Sequence, residues 1–314
     1  MKVAVIGGAG FIGSTLSKRL VREGHSVVVY DNFSTGSPNN FNGFTPKPTV
    51  RKFDISMHTE WRKFGQADVI FSLACFPRSV SMNEPLRDLK TNYFGTLYGL
   101  QTAEKQGAVF IFASNTGIVS NPDRVPVDES FTDWPTTPYD NHKLASEHLI
   151  RIYSVYKGVR GLVFRFASVY GPNQRCHEHL GWHPIVPHFI TLMSKGIAPN
   201  IDGSGEQTRD FIYVDDIVNG LVLGMQKLTS RDYGQVNGQK IILGTNTETS
   251  INTLYSTIAN SLGFRHQATH GPERVADIHR MKYDHAKASR LLGWHPNVTL
   301  HKGIALTMKS MVKD

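Results

Sequence analysis

MKVAVIGGAGFIG, residues 1–13, joins a short apolar run to glycines at positions 7, 10 and 13. The run KVAVIG (2–7) predicts a buried strand, and the glycines open a helix behind it. Gly7 permits a tight turn, Gly10 lets the backbone approach a pyrophosphate, and Gly13 allows close helix packing. The helix N-terminus offers free N–H groups to the phosphates. The stretch therefore predicts a dinucleotide-binding turn.

A carboxylate follows at the end of the second predicted strand. SVVVYD (26–31) ends in Asp31, within about 20 residues of the last glycine, where a carboxylate can bind the ribose hydroxyls of adenosine. A negative charge there repels a 2′-phosphate, so the sequence favours NAD over NADP. Asp54, which closes RKFDI after the third predicted strand, is a candidate adenine contact. A solvated loop acid is an equally good interpretation of Asp54.

Strands and helices alternate through the first half of the chain. Apolar runs recur at 68–74, 108–114 and 161–167, with amphipathic stretches between them. Such runs are typical of parallel strands covered on both faces, which predicts an α/β fold with a doubly wound, Rossmann-type sheet. We expect residues 1–168 to form the NAD-binding domain, with a later βα return near 210–245. Residues 169–314, where Pro and Gly become frequent, are expected to form mainly a smaller substrate-binding lobe.

Composition argues against several classes of protein. The 314 residues are 40% hydrophobic and 19% charged, and they contain no apolar stretch of about 18 residues that could span a membrane. The net charge is +8, but the basic residues are scattered, which favours an anionic small substrate over nucleic acid. Cys75 and Cys176 cannot support a disulfide framework, which is typical of the reducing cytoplasm.

A tyrosine and a lysine lie four residues apart in PYDNHKLASE (138–147). This spacing puts Tyr139 and Lys143 on one face of a helix. A phenol with a pKa of about 10 is a poor base at neutral pH, and a nearby ammonium lowers that pKa and can hold ribose hydroxyls. One such pair is common by chance, but its place downstream of a dinucleotide signature favours a catalytic role.

Several motifs together resemble one family. GGAGFIG, DNFSTG, NYFGT, PYDNHKLASE, FRFASVYGPNQ, GEQTRDFIYVDDIV and RLLGWHP are similar to motifs of the extended short-chain dehydrogenases/reductases, in their nucleotide-sugar epimerase/dehydratase branch. The resemblance covers nearly the full length. It implies that NAD stays bound, that a tyrosine removes a proton from a sugar hydroxyl, and that hydride passes to the nicotinamide. An epimerase then returns the hydride to the other face of the keto sugar.

The resemblance also implies roles for individual residues. Tyr139 is the acid/base, Lys143 is its electrostatic partner and ribose ligand, Asn92 supports the active-site helix, and the backbone at Phe166 meets the nicotinamide. The implied cofactor contacts are Gly7, Gly10, Phe11, Ile12, Gly13, Asp31, Asn32, Ser34, Asp54, Ile55, Leu73, Ala74, Asn92, Tyr139, Lys143 and Phe166.

The end of the strand at 108–114 departs from the family pattern. The family has Ser/Thr, two variable residues and then Val-Tyr-Gly; here Asn115 takes the hydroxyl position without gaps, and Thr116 takes it after a one-residue shift. We expect Thr116 to supply the hydroxyl, with Ser114 as the alternative and Asn115 as an amide hydrogen-bond donor. The residues that follow include no acid of the kind that 4,6-dehydratases and sugar-acid decarboxylases carry there. The sequence therefore argues against dehydration and decarboxylation.

Basic residues of the second half are expected to bind the substrate. The resemblance implies that Arg209 and Arg274 clamp a nucleoside diphosphate, because guanidinium groups bind phosphate oxygens bidentately. FPRSVSMNEP is similar to the loop that contacts sugar and phosphate in UDP-N-acetylhexosamine and related 4-epimerases, which adds Arg78 and Ser79. Ser168, together with Gly-Trp at 181–182, instead resembles the CDP-tyvelose 2-epimerases.

We therefore expect an NAD-dependent nucleotide-sugar epimerase, acting on a UDP-hexose or UDP-N-acetylhexosamine at C4. The alternatives are a CDP-tyvelose-like 2-epimerase, an NAD(P)H-dependent keto-sugar reductase, and a non-catalytic nucleotide- or RNA-binding relative. We also expect a cytoplasmic homodimer with no membrane or nucleic-acid partner. His177, His179 and His183 invite a zinc proposal, but no partnered cysteine or Glu-x-x-His helix is evident beside them, and we expect no metal.

Overall fold

The computed structural model of the chain describes residues 1–273 and 278–311. The strands are β1 (Lys2–Ile6), β2 (Ser26–Asp31), β3 (Thr49–Lys52), β4 (Val69–Ser72), β5 (Val109–Asn115), β6 (Gly161–Phe166), β7 (Ser168–Tyr170), β8 (Asn200–Asp202), β9 (Thr208–Arg209), β10 (Phe211–Tyr213), β11 (Gln239–Leu243), β12 (Thr249–Ser250) and β13 (Thr269–Gly271). The helices are α1 (Phe11–Arg22), α2 (Arg78–Ser81), α3 (Pro85–Asp88), α4 (Gly95–Gln106), α5 (Pro138–Tyr156), α6 (Ile185–Ser194), α7 (Val214–Thr229), α8 (Ile251–Leu262), α9 (Ala286–Leu292) and α10 (Leu300–Met311).

Seven parallel strands form the central sheet, in the order β11-β6-β5-β4-β1-β2-β3. The order reverses at β1, whose neighbours are β2 on one side and β4 on the other. A ligand of such a sheet binds at the carboxyl ends of the strands at this switch point. The predicted α/β, doubly wound fold is confirmed. β4 ends at Ser72, so Leu73 and Ala74 lie past the strand, at the sheet edge where a ligand binds.

The two faces of the sheet bury separate apolar cores. Val3 and Val5 of β1 belong to a core that includes residues of α1 and α7, whereas Ala4 and Ile6 belong to one that includes residues of α4 and α5. Successive side chains of a strand point to opposite faces, so a strand covered on both sides is apolar at every position. This burial explains why the strand runs in the sequence are continuous rather than alternating.

The second half of the chain is divided between the sheet and a smaller set of elements. β11 pairs with β6 along its whole length, and α7 packs on α1, so residues 214–243 belong to the large sheet layer. The short pairs β7–β10, β8–β13 and β9–β12 lie outside the seven-stranded sheet, as does the packed pair α6 and α8. The domain division at residue 168 stays a prediction. Within the described residues, no helix has the length and apolarity needed to cross a bilayer.

A π-helical turn, Leu89–Phe94, separates α3 from α4 within one of the amphipathic stretches of the sequence. The backbone carbonyl of Asn92 in this turn accepts hydrogen bonds from the hydroxyls of Thr96 and Ser146, both at 2.8 Å. Ser146 belongs to α5, so the turn attaches α5 to the neighbouring helix. Such π turns frequently occur at functional sites.

Candidate active site

The glycine-rich turn after β1 has no room for side chains. Gly7 has a φ of +73°, and a Cβ there would lie 2.6 Å from the backbone nitrogen of Ala74. A Cβ on Gly13 would lie 2.1 Å from the carbonyl oxygen of Gly7. The backbone therefore comes close to the loop after β4 and to the first turn of α1, and the N-terminal N–H groups of α1 remain available to an anion.

A cavity of about 300 Å³ lies over this turn at the carboxyl ends of β1, β2 and β4. Most of the predicted cofactor residues line it: Gly7, Gly10, Phe11, Ile12, Gly13, Asp31, Asn32, Ser34, Asp54, Ile55, Leu73 and Ala74. The other four, Asn92, Tyr139, Lys143 and Phe166, lie outside this lining. Residues from distant parts of the sequence thus meet in a space with the chemistry of a dinucleotide site.

Two carboxylates in the cavity are held by hydrogen bonds. Asp31 accepts hydrogen bonds from the backbone N–H groups of Ala9 (2.9 Å) and Phe33 (2.8 Å). These bonds lower the pKa of Asp31, but burial outweighs them and the pKa is raised. Asp54 accepts from the N–H (2.9 Å) and the hydroxyl (2.7 Å) of Ser56. Burial would raise the pKa of Asp54, but these hydrogen bonds outweigh it and the pKa is lowered. Each carboxylate keeps lone pairs that can accept from ligand hydroxyls.

Tyr139 and Lys143 lie in the first turns of α5, which begins at Pro138 after the N-cap Thr137. Lys143 is 1% exposed; its ammonium donates to the carbonyl of Ala113 at 2.9 Å and lies 5.8 Å from the centroid of the Tyr139 ring. The ammonium carries further donors for a ligand. Burial lowers the pKa of Lys143.

The pKa of Tyr139 is raised, whereas the sequence predicts that Lys143 lowers it. Burial is the largest cause, followed by the neighbouring Cys75 and by the negative charges of Asp140 and Asp88. Cys75 lines the cavity over the glycine turn and is near enough to Tyr139 to affect its pKa, so Tyr139 lies close to that cavity although it does not line it. The phenol without a bound cofactor is therefore a proton donor at neutral pH.

Ion pairing and hydrogen bonds fix the start of α5. Arg78 donates from Nε to both oxygens of Asp140 (2.9 and 3.2 Å), and its Nη2 lies 2.9 Å from Oδ2. Asp140 is fully buried and also accepts from the Thr137 hydroxyl at 2.7 Å. The predicted substrate residue Arg78 thus holds the turn that carries Tyr139. Its neighbour Ser79 is exposed in α2.

Asn92 supports α5 through hydrogen bonds to neighbouring residues. Its Oδ1 accepts from the N–H of Phe76 (3.1 Å), and its Nδ2 donates to both oxygens of Asp88 (2.6 and 3.0 Å). Asp88 in turn lies 3.1 Å from Nδ1 of His142 in α5. Both polar atoms of the Asn92 side chain therefore have protein partners, which suits the supporting role better than a cofactor contact.

The three polar residues at the end of β5 have different surroundings. The Ser114 hydroxyl donates to Glu147 at 2.5 Å, and the Thr116 hydroxyl donates to the carbonyl of Phe166 at 3.0 Å; both side chains are buried. The Asn115 Nδ2 is buried and has no hydrogen-bond partner within residues 1–273 and 278–311. A Cβ on Gly117 would meet Oδ1 of Asn115 at 2.8 Å and Oδ1 of Asp140 at 3.4 Å. Asn115 therefore lies beside the first turn of α5.

A buried charge cluster lies behind these residues, and the sequence patterns did not predict it. Arg165 of β6 is 1% exposed; its Nη2 and Nε donate to Glu147 of α5 at 2.6 and 2.9 Å, and its Nη1 donates to Asp133 at 2.6 Å. Lys240 of β11 donates to Asp133 at 3.0 Å. Burial disfavours the charge of Arg165, but its two carboxylate partners outweigh burial and raise its pKa. One arginine inside the apolar strand GLVFRF is the signal that could have revealed the cluster.

A second cavity of about 500 Å³ adjoins the first. Ser168 and Arg209 line it, as predicted substrate residues, and Val169, Gln174 and Trp182 line both cavities. Arg209 is held by donation from Nη1 to the carbonyls of Thr208 (2.8 Å) and Ile278 (2.6 Å). Arg274 lies outside the described residues. The two cavities therefore adjoin at Val169, Gln174 and Trp182, and together they are called the groove below.

The architecture is that of the NAD-dependent epimerases and dehydratases. The sequence model of the NAD dependent epimerase/dehydratase family matches residues 3–237. The chain belongs to this family, and is therefore an enzyme of the epimerase type that uses NAD.

Individual relatives cover nearly the whole chain. A putative UDP-glucose 4-epimerase of Methanocaldococcus jannaschii is 32% identical over 96% of this chain and 95% of its own length. UDP-glucuronic acid decarboxylase 1 of Xenopus tropicalis is 32% identical over 100% of this chain and 72% of its own length. The crystal structure of a Thermotoga maritima UDP-glucose 4-epimerase with UDP-glucose superimposes with a TM-score of 0.92, at 32% identity over 100% of this chain and 99% of that one.

Proposed function

We propose that the protein is an NAD-dependent nucleotide-sugar epimerase acting on a UDP-hexose or UDP-N-acetylhexosamine at C4. The two adjoining cavities carry the proposal: the residues of a dinucleotide site line one of them, Ser168 and Arg209 line the other, and Tyr139 lies near Cys75 at the first. Relatives named as UDP-glucose 4-epimerases support the choice of substrate.

The cofactor cavity fits NAD by its own geometry. The space that a Cβ would fill at Gly7 and Gly13 is closed by backbone, so the turn suits a pyrophosphate on the N-terminus of α1. Asp31 would hold the ribose hydroxyls of the adenosine end. When bound, oxidised NAD supplies a hydride acceptor and a positive charge.

The residues of the chain handle the proton and the orientation of the sugar. Tyr139 takes the proton of the reacting hydroxyl and later returns it to the ketone oxygen. Burial and nearby acids keep its phenol neutral, so ionisation depends on Lys143 together with the positive charge of the cofactor. Arg78 and Asp140 hold Tyr139 in place, and Arg209 and Arg274 bind the diphosphate.

The reaction is tested by offering UDP-, CDP-, GDP- and dTDP-sugars to the purified enzyme and following the products by NMR. We expect interconversion of C4 epimers of a UDP-sugar with no net change in NAD. Inversion at C2 of a CDP-sugar would establish the tyvelose-type alternative. Consumption of NADPH at each turnover would identify a reductase, and release of CO₂ from UDP-glucuronate would identify a decarboxylase.

Asn115 rather than Thr116 is proposed to contact the reacting sugar oxygen, because the hydroxyls of Ser114 and Thr116 already have protein partners. Asn115→Ala should lower kcat by about 100-fold, as expected for loss of one preorganised donor in a catalytic site. The matched control Thr116→Val should cost much less. Steady-state kinetics on the two variants decide between them, and a larger loss for Thr116→Val would restore the sequence-based choice.

Asp31 sets the preference for NAD. Asp31→Ser should shift the ratio of the Kd values for NADP and NAD by at least about tenfold towards NADP, about 1.4 kcal/mol, because the charge that repels a 2′-phosphate is gone. Titration of both cofactors by fluorescence measures the ratio. Asp54→Asn alters a second acid of the same cavity and serves as the control; an equal shift there would contradict the assignment to Asp31.

We further propose that the protein is a cytoplasmic homodimer whose subunits meet at a helical face formed around residues 86–106 and 139–157. Exposed apolar side chains support this face: Leu86 in α3, and Ile152, Val155 and Tyr156 in α5. Val155→Glu should convert the dimer to a monomer in light scattering because it puts a charge in an apolar contact. An unchanged mass for this variant would count against the face.

Free Cys75 and Cys176 are in keeping with a reducing compartment.

A further inference from the structure

A tight hairpin lies between β7 and α6, over the groove. The N–H of His177 donates to the carbonyl of Trp182 at 2.8 Å, and the N–H of Trp182 donates back at 3.2 Å. Their rings stack with centroids 5.3 Å apart and an interplanar angle of 7°. Gly181, at a φ of +57°, provides the left-handed residue that closes the turn. The hairpin is therefore held by backbone and ring contacts together.

The residues on either side of this pair are Cys176 and His183, which the hairpin brings opposite each other. The first turn of α6 adds His188, whose ring centroid lies 5.2 Å from that of His183. One ligand atom from each of the three side chains lies within 4.8 Å of the other two. A thiol and two imidazoles, from a hairpin and from the helix behind it, thus converge at one point.

We propose that Cys176, His183 and His188 bind Zn²⁺ or a transition metal of similar ligand preference. Zn–S bonds of about 2.3 Å and Zn–N bonds of about 2.0–2.1 Å require tetrahedral edges of about 3.3–3.6 Å between one sulfur and two nitrogens, so small side-chain rotations complete the site. Thiolate and imidazole ligands select zinc-like metals over Ca²⁺ and Mg²⁺, which prefer oxygen. The exposed Glu178 has a carboxylate oxygen 3.5 Å from Nε2 of His183, so it or water can fill the fourth position.

This site differs from a site made of His177, His179 and His183, against which the sequence argues. The three histidines of the sequence proposal do not share a point: His177 stacks on Trp182, and the His179 ring lies 5.8 Å from that of His177. Only His183 of that group joins the cluster, together with Cys176 and His188. The partnered cysteine is seven residues before His183 in the chain, and the hairpin makes the two neighbours in space.

A metal at this position would tie the hairpin to α6 beside the second cavity. His183 and His188 line the second cavity, and Trp182 lines both cavities. Fastening Trp182 there would restrict the opening through which a nucleotide sugar enters. The expected consequence is an effect on KM for the sugar nucleotide with little change in kcat.

The test uses tag-free, reduced, chelator-treated protein and titrates it with Zn²⁺ against a chromophoric chelator and with Co²⁺ by absorption spectroscopy. Wild type should bind one equivalent, with the visible bands of tetrahedral Co²⁺ and a thiolate-to-Co²⁺ charge-transfer band. Cys176→Ser and His188→Asn should weaken binding by more than the roughly 10–100-fold that loss of an outer-shell partner costs. Cys75→Ser and His179→Asn are matched controls that should bind like wild type.

Two results would overturn the site: affinity for Zn²⁺ in Cys176→Ser equal to that of wild type, or an octahedral Co²⁺ spectrum without the thiolate band. Circular dichroism of each variant shows whether the fold is intact. The KM effect rests on the proposed epimerase function, whereas the metal titration does not. Failure of the function and failure of the site are therefore distinguishable.

Discussion

Tyr139→Phe should reduce epimerisation by about 10²–10⁴-fold, the range of a general acid–base catalyst, while the affinity for NAD stays close to that of wild type. The substitution removes one oxygen and keeps the ring beside Lys143, and Lys143 keeps its bond to the carbonyl of Ala113. The first turn of α5 depends on Arg78 and Asp140 rather than on the phenol hydroxyl. The loss should therefore fall on the chemical step.

Single-turnover reduction of enzyme-bound NAD by the sugar nucleotide measures that step directly. Tyr233→Phe, which removes a phenol hydroxyl from the turn before β11, is the control and should behave like wild type. Ultraviolet difference titration adds a second readout. In NAD-free enzyme the Tyr139 phenolate should form only at a pH above the ordinary pKa of tyrosine, because burial and nearby acids disfavour the charge. With oxidised NAD bound, it should form at a lower pH. Full activity of Tyr139→Phe would place the acid/base elsewhere.

The parts of the site that could be predicted from the sequence are those whose geometry is local. The glycine turn, Asp31 at the end of its strand, and the i,i+4 pair Tyr139 and Lys143 each follow from the period of one element and its boundary. The alternation of apolar runs and helices was sufficient to predict a doubly wound parallel sheet covered on both faces, but not the order of its strands. The return of β11 to the sheet was expected only as βα character near 210–245.

The remaining features depend on which elements become neighbours. The choice among Ser114, Asn115 and Thr116 rests on Glu147 and Phe166, which are distant in sequence. The pKa of Tyr139 depends on burial, on Cys75 and on Asp88 of α3 as well as on the adjacent Asp140, and no local pattern shows the first three. The convergence of Cys176 with His183 and His188 likewise needs the hairpin. These are tertiary contacts, and hydrophobic periodicity carries no information about them.

Arg165→Met should lower the free energy of unfolding by about 3–5 kcal/mol, the cost of removing one partner from a buried ion pair. Glu147 and Asp133 would keep their charges without the guanidinium that now binds both. Such a loss is a large part of the roughly 5–15 kcal/mol that holds a typical domain folded. Urea denaturation followed by circular dichroism measures the change, and Arg160→Met, at the loop before β6, provides an exposed-arginine control.

The acid dependence of stability separates loss of charge pairing from loss of packing. Burial would raise the pKa of Asp133, but Arg165 and Lys240 outweigh it and the pKa is lowered. A carboxyl with a depressed pKa in the folded state stabilises the protein above its unfolded pKa of about 3.9, and this contribution is lost as pH falls through the folded value. Wild type should therefore lose stability below about pH 4, and Arg165→Met should lose less over the same interval.

Adding Glu147→Leu to Arg165→Met removes one orphaned charge and should recover part of the lost stability, because apolar replacement of a buried ion pair is often neutral. No recovery, with an acid limb identical to that of wild type, would assign the effect of Arg165 to packing alone.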